Sequence, residues 1–326
     1  MKQKLIFMGS DPIALPALNA ILQGRCGPIE LIAVYTQPDK PRGRGKKIEA
    51  NAIKLWSHEN GIPVLQPNRV DKSVRLEIEA IGTDSILIMA YGHLLSQALI
   101  DTPPLGIWNL HTSLLPKYRG ASPIQSAIAS GDAVTGVSFM QVIKEMDAGP
   151  VLDVEKVDIE RLDTALELES KLSQACVPLL EKCLPTVFAS EASPRPQNEK
   201  EASYVRKLTK EDGTIDFRKS AAEISQRING LFPWPGTRFT FGESTIKVGL
   251  ADFENEVTEG AAGQVIGLDP KGLAIACGSG VLFLKRLQRP GGKMLDAQSF
   301  VRGFELPVGT ILDSVKMSRL VSKQHF

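Results

Sequence analysis

The rhythm of the first half constrains this chain most: short continuous apolar runs alternate with segments of helical period. Residues 5–8, 29–36, 85–90 and 106–110 are apolar runs of strand length, and residues 12–22, 50–59 and 71–81 are patterned as helices. Strands that are apolar on both faces must be covered on both sides, so the pattern predicts a parallel sheet flanked by helices. In such sheets, sites form beyond the carboxyl ends of strands. Gly9-Ser10, Tyr91-Gly92 and His111-Thr112 each follow a predicted strand end, which gathers them around one crevice.

At 326 residues the chain is too long for one typical core, so two domains are expected. A helix opening at Ser122-Pro123, with Ser122 as N-cap and proline at the first helical position, precedes predicted strands at 134–142 and 151–157. Residues 164–188 read as a long helix whose apolar face includes Leu166, Leu168, Leu172, Ala175, Cys176, Leu179 and Leu180. Composition then shifts. Residues 190–203, with Ser193-Pro194-Arg195-Pro196, cannot build a core and read as a linker. Beyond it come one helix at 221–228 and short strands at 237–241, 244–250, 263–266, 273–277 and 281–287, separated by glycine turns. That pattern suits a small barrel of OB type. The expected architecture is therefore α/β, a Rossmann-like parallel-sheet domain over residues 1–189, a linker at 190–207, an OB-like β-barrel domain over 208–315 and a tail at 316–326.

Several function classes fall away. Hydrophobic residues make up 43% and charged residues 23%, as in an ordinary globular protein, and a net charge of +1 identifies no partner by itself. The four cysteines, Cys26, Cys176, Cys183 and Cys277, form neither a C-x-x-C pair nor a disulfide framework, so core packing in a reducing cytoplasm is expected, with no metal. The apolar run that ends at Gly9 is too short for a signal or membrane segment, and no membrane partner is expected. Gly9 is not followed by the second and third glycines of a dinucleotide fingerprint, which argues against NAD. Arg289-Pro290-Gly291-Gly292-Lys293 lacks the spacing and hydroxyl residue of a phosphate loop and reads as a basic turn.

The chemistry concentrates in Asn109-Leu110-His111-Thr112-Ser113-Leu114-Leu115-Pro116 and in Asp147-Ala148-Gly149. Asn109 and His111 lie two apart on a predicted strand, so their side chains leave on the same face. An amide, an imidazole and a carboxylate suit acyl transfer. The amide and an imidazole N–H can hold an oxyanion, the imidazole can relay a proton near neutrality, and the carboxylate can orient it or accept the proton through water. The bland reading is a strand end that satisfies backbone groups, with Asp147 as an ordinary turn residue.

Residues 109–125, Asn-Leu-His-Thr-Ser-Leu-Leu-Pro-Lys-Tyr-Arg-Gly-Ala-Ser-Pro-Ile-Gln, resemble the signature of folate-dependent formyltransferases, and Met146-Asp147-Ala148-Gly149-Pro150-Val151-Leu152 resembles their second block. More narrowly, residues 36–47, Thr-Gln-Pro-Asp-Lys-Pro-Arg-Gly-Arg-Gly-Lys-Lys, are similar to the insertion of the methionyl-tRNA formyltransferase family, as is Ala90-Tyr91-Gly92. The resemblance continues through Phe232-Pro233-Trp234-Pro235, a rigid junction, into the C-terminal domain. It implies that Asn109, His111 and Asp147 form the catalytic trio and that Ser113, Leu114, Leu115 and Pro116 contribute to a 10-formyltetrahydrofolate site. The implied reaction moves the formyl group to the α-amine of methionyl-initiator tRNA in the cytoplasm, carried out by a monomer. The rival readings are another formyl-folate transferase or hydrolase, and a non-catalytic RNA-binding protein on this scaffold.

Residues 40–47 hold Lys40, Arg42, Arg44, Lys46 and Lys47 without an acidic side chain. Such a run can be merely a solvated loop, but cation density on a glycine-rich loop also suits a phosphate backbone. With the resemblance, Arg42, Arg44, Lys46 and Lys47 become the expected tRNA contacts, Arg44 foremost. Arg206, Lys207, Lys210, Lys285, Arg286, Arg289 and Lys293 could add a second basic track on the C-terminal domain. Two departures from the family pattern stand out: Gly9-Ser10-Asp11-Pro12 replaces Gly-Thr-Pro-Asp, and Trp108 stands where a smaller aliphatic residue is common.

Overall fold

A computed structural model describes residues 2–42, 47–256 and 259–326, without the side chains of Arg42 and Lys47. The chain forms two compact units, each assembled from three segments. One comprises Met1–Arg119, Gly136–Val157 and Ser170–Ala202; the other comprises Gly120–Thr135, Asp158–Glu169 and Ser203–Phe326.

The first unit is built on a seven-stranded sheet in the order Val151–Asp158, Val134–Gln141, Ile107–His111, Ser85–Met89, Gln3–Gly9, Ile29–Tyr35, Val64–Leu65. The five strands from Ile107–His111 to Val64–Leu65 pair in parallel, as the apolar runs predict for four of them; the two-residue strand Val64–Leu65 is not among those runs. Val134–Gln141 instead runs antiparallel to Ile107–His111, setting Met140 opposite Asn109 and Ser138 opposite His111. An apolar run encodes burial and not direction, so this reversed edge was not visible in the sequence. Leu5, Ile6, Phe7, Met8, Ile86 and Leu87 are buried without residual exposure.

Local signals fix the helices around this sheet. The Asn51 side chain accepts the Lys54 N–H (3.0 Å) to open Ala52–Glu59. Asp71 accepts the Ser73 N–H (2.9 Å) at the start of Lys72–Ile81, and Gly82, at φ +71°, closes that helix. The long helix Ala165–Phe188 forms as the periodicity implies. Leu172, Cys176, Leu179 and Leu180 are buried, with the Cys176 sulfur 4.0 Å from that of Met89, whereas Leu166 is solvent-exposed and lies off the buried face. All four cysteines are buried free thiols. Burial pushes those of Cys176 and Cys277 up to about 12, which leaves them packing groups without nucleophilic character.

The second unit carries an antiparallel sheet in the order Thr237–Phe241, Ser244–Glu254, Val281–Gln288, Gly272–Ala276, Val265–Asp269, with Leu295–Asp296 paired to Val281–Gln288. This all-antiparallel order is compatible with the expected barrel. Helix Ala221–Gly230 opens with a reciprocal Ser220–Glu223 capping box, and Phe217, Ile224, Ile228, Phe239, Ile246 and Phe300 share one core. A further helix, Ala297–Gly303, was not anticipated. It is only seven residues long, capped where Asp296 accepts the Ser299 N–H (2.8 Å) and anchored by buried Ala297 and Phe300. Ser122 occupies the N-cap position of Pro123–Ala129 but caps nothing. Its hydroxyl donates instead to the Arg206 carbonyl at 2.7 Å.

Among the described residues, no helix is long and apolar enough to cross a membrane.

Candidate active site

The site grows from the carboxyl end of Ile107–His111. Strand alternation sends Asn109 and His111 to one face and Trp108 to the other, where the indole stacks on Phe139 at 5.1 Å. The unusual Trp108 is therefore absorbed by packing behind the site. Asn109 is half-buried, and His111 is buried with only 6% exposure.

His111 Nε2 lies 3.0 Å from the Tyr118 carbonyl oxygen. A carbonyl can only accept, so Nε2 carries the hydrogen and the neutral ring has its lone pair on Nδ1. That assignment rests on the partner atom and changes the expected division of labour: the Nε2–H is committed to the backbone, leaving Nδ1 for chemistry. Nδ1 faces the Asp147 carboxylate at 3.7 Å, longer than a hydrogen bond. His111 and Asp147 are thus neighbours although far apart in sequence, and Asn109 leaves the strand on the His111 face.

Asp147 sits at φ +53°, in the left-handed region. Aspartate tolerates that region better than most residues, yet for a non-glycine residue it costs on the order of 1–2 kcal/mol. Two residues on, Gly149 is required by close approach: a Cβ there would run into the Gln141 carbonyl. The Asp147-Ala148-Gly149 turn is therefore a shaped feature of the fold.

The loop after the strand is held from inside. The Ser138 hydroxyl donates to the Ser113 carbonyl (2.7 Å) and accepts the Leu115 N–H (3.0 Å). The Ser113 hydroxyl donates to the Lys117 carbonyl (2.6 Å), so Ser113 shapes the loop. Leu114, Leu115 and Pro116 are half-buried. Leu115 and Pro116 form one wall of a cavity of about 530 Å³, with Val151, Leu152, Val154 and Pro196 among its other lining residues.

Two neighbouring strand ends behave as the crevice requires. At the altered first turn, Ser10 Oγ accepts the Gln37 N–H (2.9 Å) and the Thr36 hydroxyl (3.1 Å), and Asp11 accepts the Ile13 N–H (3.0 Å). Gly9 is needed because a Cβ would strike the Met89 carbonyl and the Phe7 ring. Beyond Ser85–Met89, Tyr91 and His93 pack with ring centroids 4.9 Å apart. Tyr91 Oη and His93 Nε2 are buried polar atoms without a hydrogen-bond partner among the described residues. Burial, with Lys40 nearby, holds the His93 imidazole below its usual range, and burial lifts the Tyr91 hydroxyl to about 12. His93 thus belongs among the candidate site residues, contrary to its unremarkable sequence neighbours. Orphaned buried polar atoms of this kind mark a place where a ligand can supply the partner.

The basic run is only partly described. Lys40–Arg42 and Lys47–Glu49 pair as a two-stranded antiparallel ribbon, where a plain loop was expected. Arg44 and Lys46 lie outside the described residues, as do the side chains of Arg42 and Lys47. In the second unit, Arg206 of the expected basic track pairs with Asp212, its Nη2 lying 2.6 Å from Oδ1. Among the described residues, no group of three His, Cys, Asp or Glu side chains could hold a metal ion.

Sequence reasoning missed Tyr118, Ser138 and Gln197. Tyr118 and Ser138 act through backbone contacts that no spacing rule reveals. Gln197, in the segment read as linker, donates from Nε2 to the carbonyls of Asp147 (2.8 Å) and Gly149 (2.7 Å). The segment is further tied by the Val151–Arg195 bridge. Its one advance signal was a polar residue capable of donating and accepting, just after Pro-Arg-Pro.

Known proteins resemble the chain over nearly its whole length. Residues 3–184 match the formyl transferase family and residues 207–305 the formyl transferase C-terminal domain. The methionyl-tRNA formyltransferase of Gluconobacter oxydans is 41% identical over 95% of this chain and 99% of its own, and that of Delftia acidovorans is 38% identical over 95% and 97%. Among solved structures, the sugar 3N-formyl transferase WlaRD, crystallised with dTDP and 5-N-formyl-THF, gives a TM-score of 0.66 at 18% identity over 90% of this chain and all of its own. HypX from Aquifex aeolicus, in complex with tetrahydrofolic acid, gives 0.61 at 16% identity over 94% of this chain and 48% of its own. With both domain matches and full-length relatives of this identity, the chain belongs to the formyl transferase family, among the methionyl-tRNA formyltransferases.

Proposed function

We propose that this protein transfers the formyl group of 10-formyltetrahydrofolate to the α-amine of methionine esterified to initiator tRNA, for the start of translation in the cytoplasm. The observation that carries the chemistry is the His111–Asp147 pair at 3.7 Å, with the proton-accepting nitrogen of the ring turned toward the carboxylate. In this reading the amine attacks the formyl carbon, a C–N bond forms, and the carbonyl π pair moves onto oxygen. The Asn109 amide N–H donates to that oxyanion, a contribution of typically about 100- to 1,000-fold in rate. His111 Nδ1 takes the proton that the amine must lose, and Asp147 stabilises the resulting imidazolium. Collapse breaks the bond to N10 of the folate, and the imidazolium returns the proton to N10, so formyl-methionyl-tRNA and tetrahydrofolate leave with atoms balanced. No metal and no NAD takes part.

The same reading assigns residues 1–189 to folate and catalysis and 208–315 to the tRNA. Ser113, Leu114, Leu115 and Pro116 shape the folate side of the site, and Arg42, Arg44, Lys46 and Lys47 meet tRNA phosphates. The enzyme acts as a monomer. Support for tRNA as acceptor comes from the curated relatives, matched over 95% of the chain, and from the run of cations at residues 40–47. The test is to offer the purified protein 10-formyltetrahydrofolate with methionyl-initiator tRNA, free methionine or an amino-sugar nucleotide. Formylation confined to the charged tRNA supports the proposal. Preference for the sugar nucleotide, or folate hydrolysis without an acceptor, overturns it.

A further inference from the structure

We infer that Gln197, backed by Arg119, is a positioning residue that holds the Asp147 carboxylate in register with His111. The inference rests on the catalytic reading above. Asp147 reaches its place only through a left-handed backbone conformation. The Gln197 side chain spans the turn that enforces this, donating from one amide nitrogen to the carbonyls of both Asp147 (2.8 Å) and Gly149 (2.7 Å). Its amide orientation is fixed by the other end, where Oε1 accepts from Arg119 Nε (3.1 Å) and Nη2 (2.8 Å). Nitrogen faces only acceptors and oxygen only donors, so a flipped amide would lose all four contacts.

Arg119 is a buried anchor. It is 2% exposed, and its Nη1 and Nη2 donate to the two carboxylate oxygens of Glu199 at 2.9 and 2.7 Å. Such a bidentate fork is directional as well as strong. Arg119 also follows Tyr118 directly, whose carbonyl fixes the His111 tautomer. One guanidinium thereby stands behind both halves of the pair: by peptide connectivity behind His111, and through Gln197 behind Asp147. Neither residue touches a reacting atom. Their role is to keep a strained turn from relaxing and carrying the carboxylate away from the ring, where a displacement of about 1 Å can cost on the order of 100-fold in rate.

Two variants separate this role from simple bracing. Gln197→Ala removes both ends of the bridge. Gln197→Glu keeps an acceptor for Arg119 but sets an oxygen against the Asp147 and Gly149 carbonyls. Steady-state formylation of methionyl-initiator tRNA should show kcat reduced about 100-fold in both variants, with KM for folate and tRNA within about threefold of wild type. The Gln197→Ala loss should vanish in an Asp147→Asn background, because coupled residues do not add. Thermal melting monitors folding, and Gln197→Glu, which still offers an oxygen to the Arg119 guanidinium, remains informative if the alanine variant is too unstable. Wild-type kcat in Gln197→Glu, or full additivity with Asp147→Asn, would overturn the inference while leaving the catalytic reading intact. A wild-type protein inactive on methionyl-tRNA would remove that reading and the inference with it.

Discussion

Replacing Asp147 by asparagine isolates a charge from a shape. Asparagine tolerates the left-handed backbone almost as well as aspartate, so the turn at φ +53° survives and only the negative charge is lost. At 3.7 Å and an effective dielectric of about 20, a full imidazolium–carboxylate pair is worth about 4.5 kcal/mol. The ring charge is only partly developed in the transition state, and the Asp147 side chain is 16% exposed, so about 2–4 kcal/mol is the working range. That range corresponds to a kcat about 30- to 1,000-fold lower. Because the lost interaction exists only once the ring is charged, KM for folate and for tRNA should stay within about twofold. Single-turnover formylation with saturating folate measures the step directly. A rate within about threefold of wild type would mean that the carboxylate neither stabilises nor orients the proton acceptor, and the electrostatic argument would fail.

Further outcomes follow from other features. Asn109→Ala should lower kcat about 100- to 1,000-fold in the same assay, with little change in folate affinity by fluorescence titration. Arg44→Ala should raise KM for tRNA far more than for folate and flatten the salt dependence of tRNA binding by about one phosphate contact; equal effects on both substrates would contradict a tRNA contact at Arg44. In the second unit, burial raises the Asp212 carboxyl, but Arg206, Ser318 and the Thr209 N–H outweigh it and hold the group well below its usual value of 3.8. A depressed carboxylate stabilises the fold above its unfolded pKa and loses that contribution as pH falls toward its folded value. Asp212→Ala should therefore cost about 3 kcal/mol at neutral pH, and the gap to wild type in urea melts should shrink on acidification below pH about 4.

Most strands and helices of the first unit are written in the sequence because their runs are short and apolar or bounded by a capping residue such as Asn51 or Asp71, whereas Val64–Leu65 and Gln97–Ile100 are too short to leave a pattern. The pairing of Asn109 with His111 was legible for the same reason, since a period of two fixes their common face. Strand direction at the edge was not legible, as the antiparallel approach of Val134–Gln141 depends on the path of a connection and not on composition. The support behind the trio was hidden more deeply. Gln197 sits in a Pro/Ser-rich stretch that by composition alone is a linker, and its partners Asp147 and Arg119 are 50 and 78 residues away. Tyr118 acts through its backbone carbonyl, which leaves no trace in residue type, and the Ser138 hydroxyl reaches backbone groups 23 and 25 residues away, which no local spacing reveals. The helix Ala297–Gly303 spans barely two turns, too few repeats for its amphipathic period to be recognised.

The central claim is that His111 accepts the proton of an amine attacking a formyl group held beside Asn109 and Asp147. His111→Ala, preloaded with 10-formyltetrahydrofolate and mixed with methionyl-initiator tRNA in a single-turnover experiment, tests it most directly. The account predicts that the variant still binds both substrates but forms product at least about 100-fold more slowly than wild type. Formyl-methionyl-tRNA appearing at the wild-type rate would contradict it.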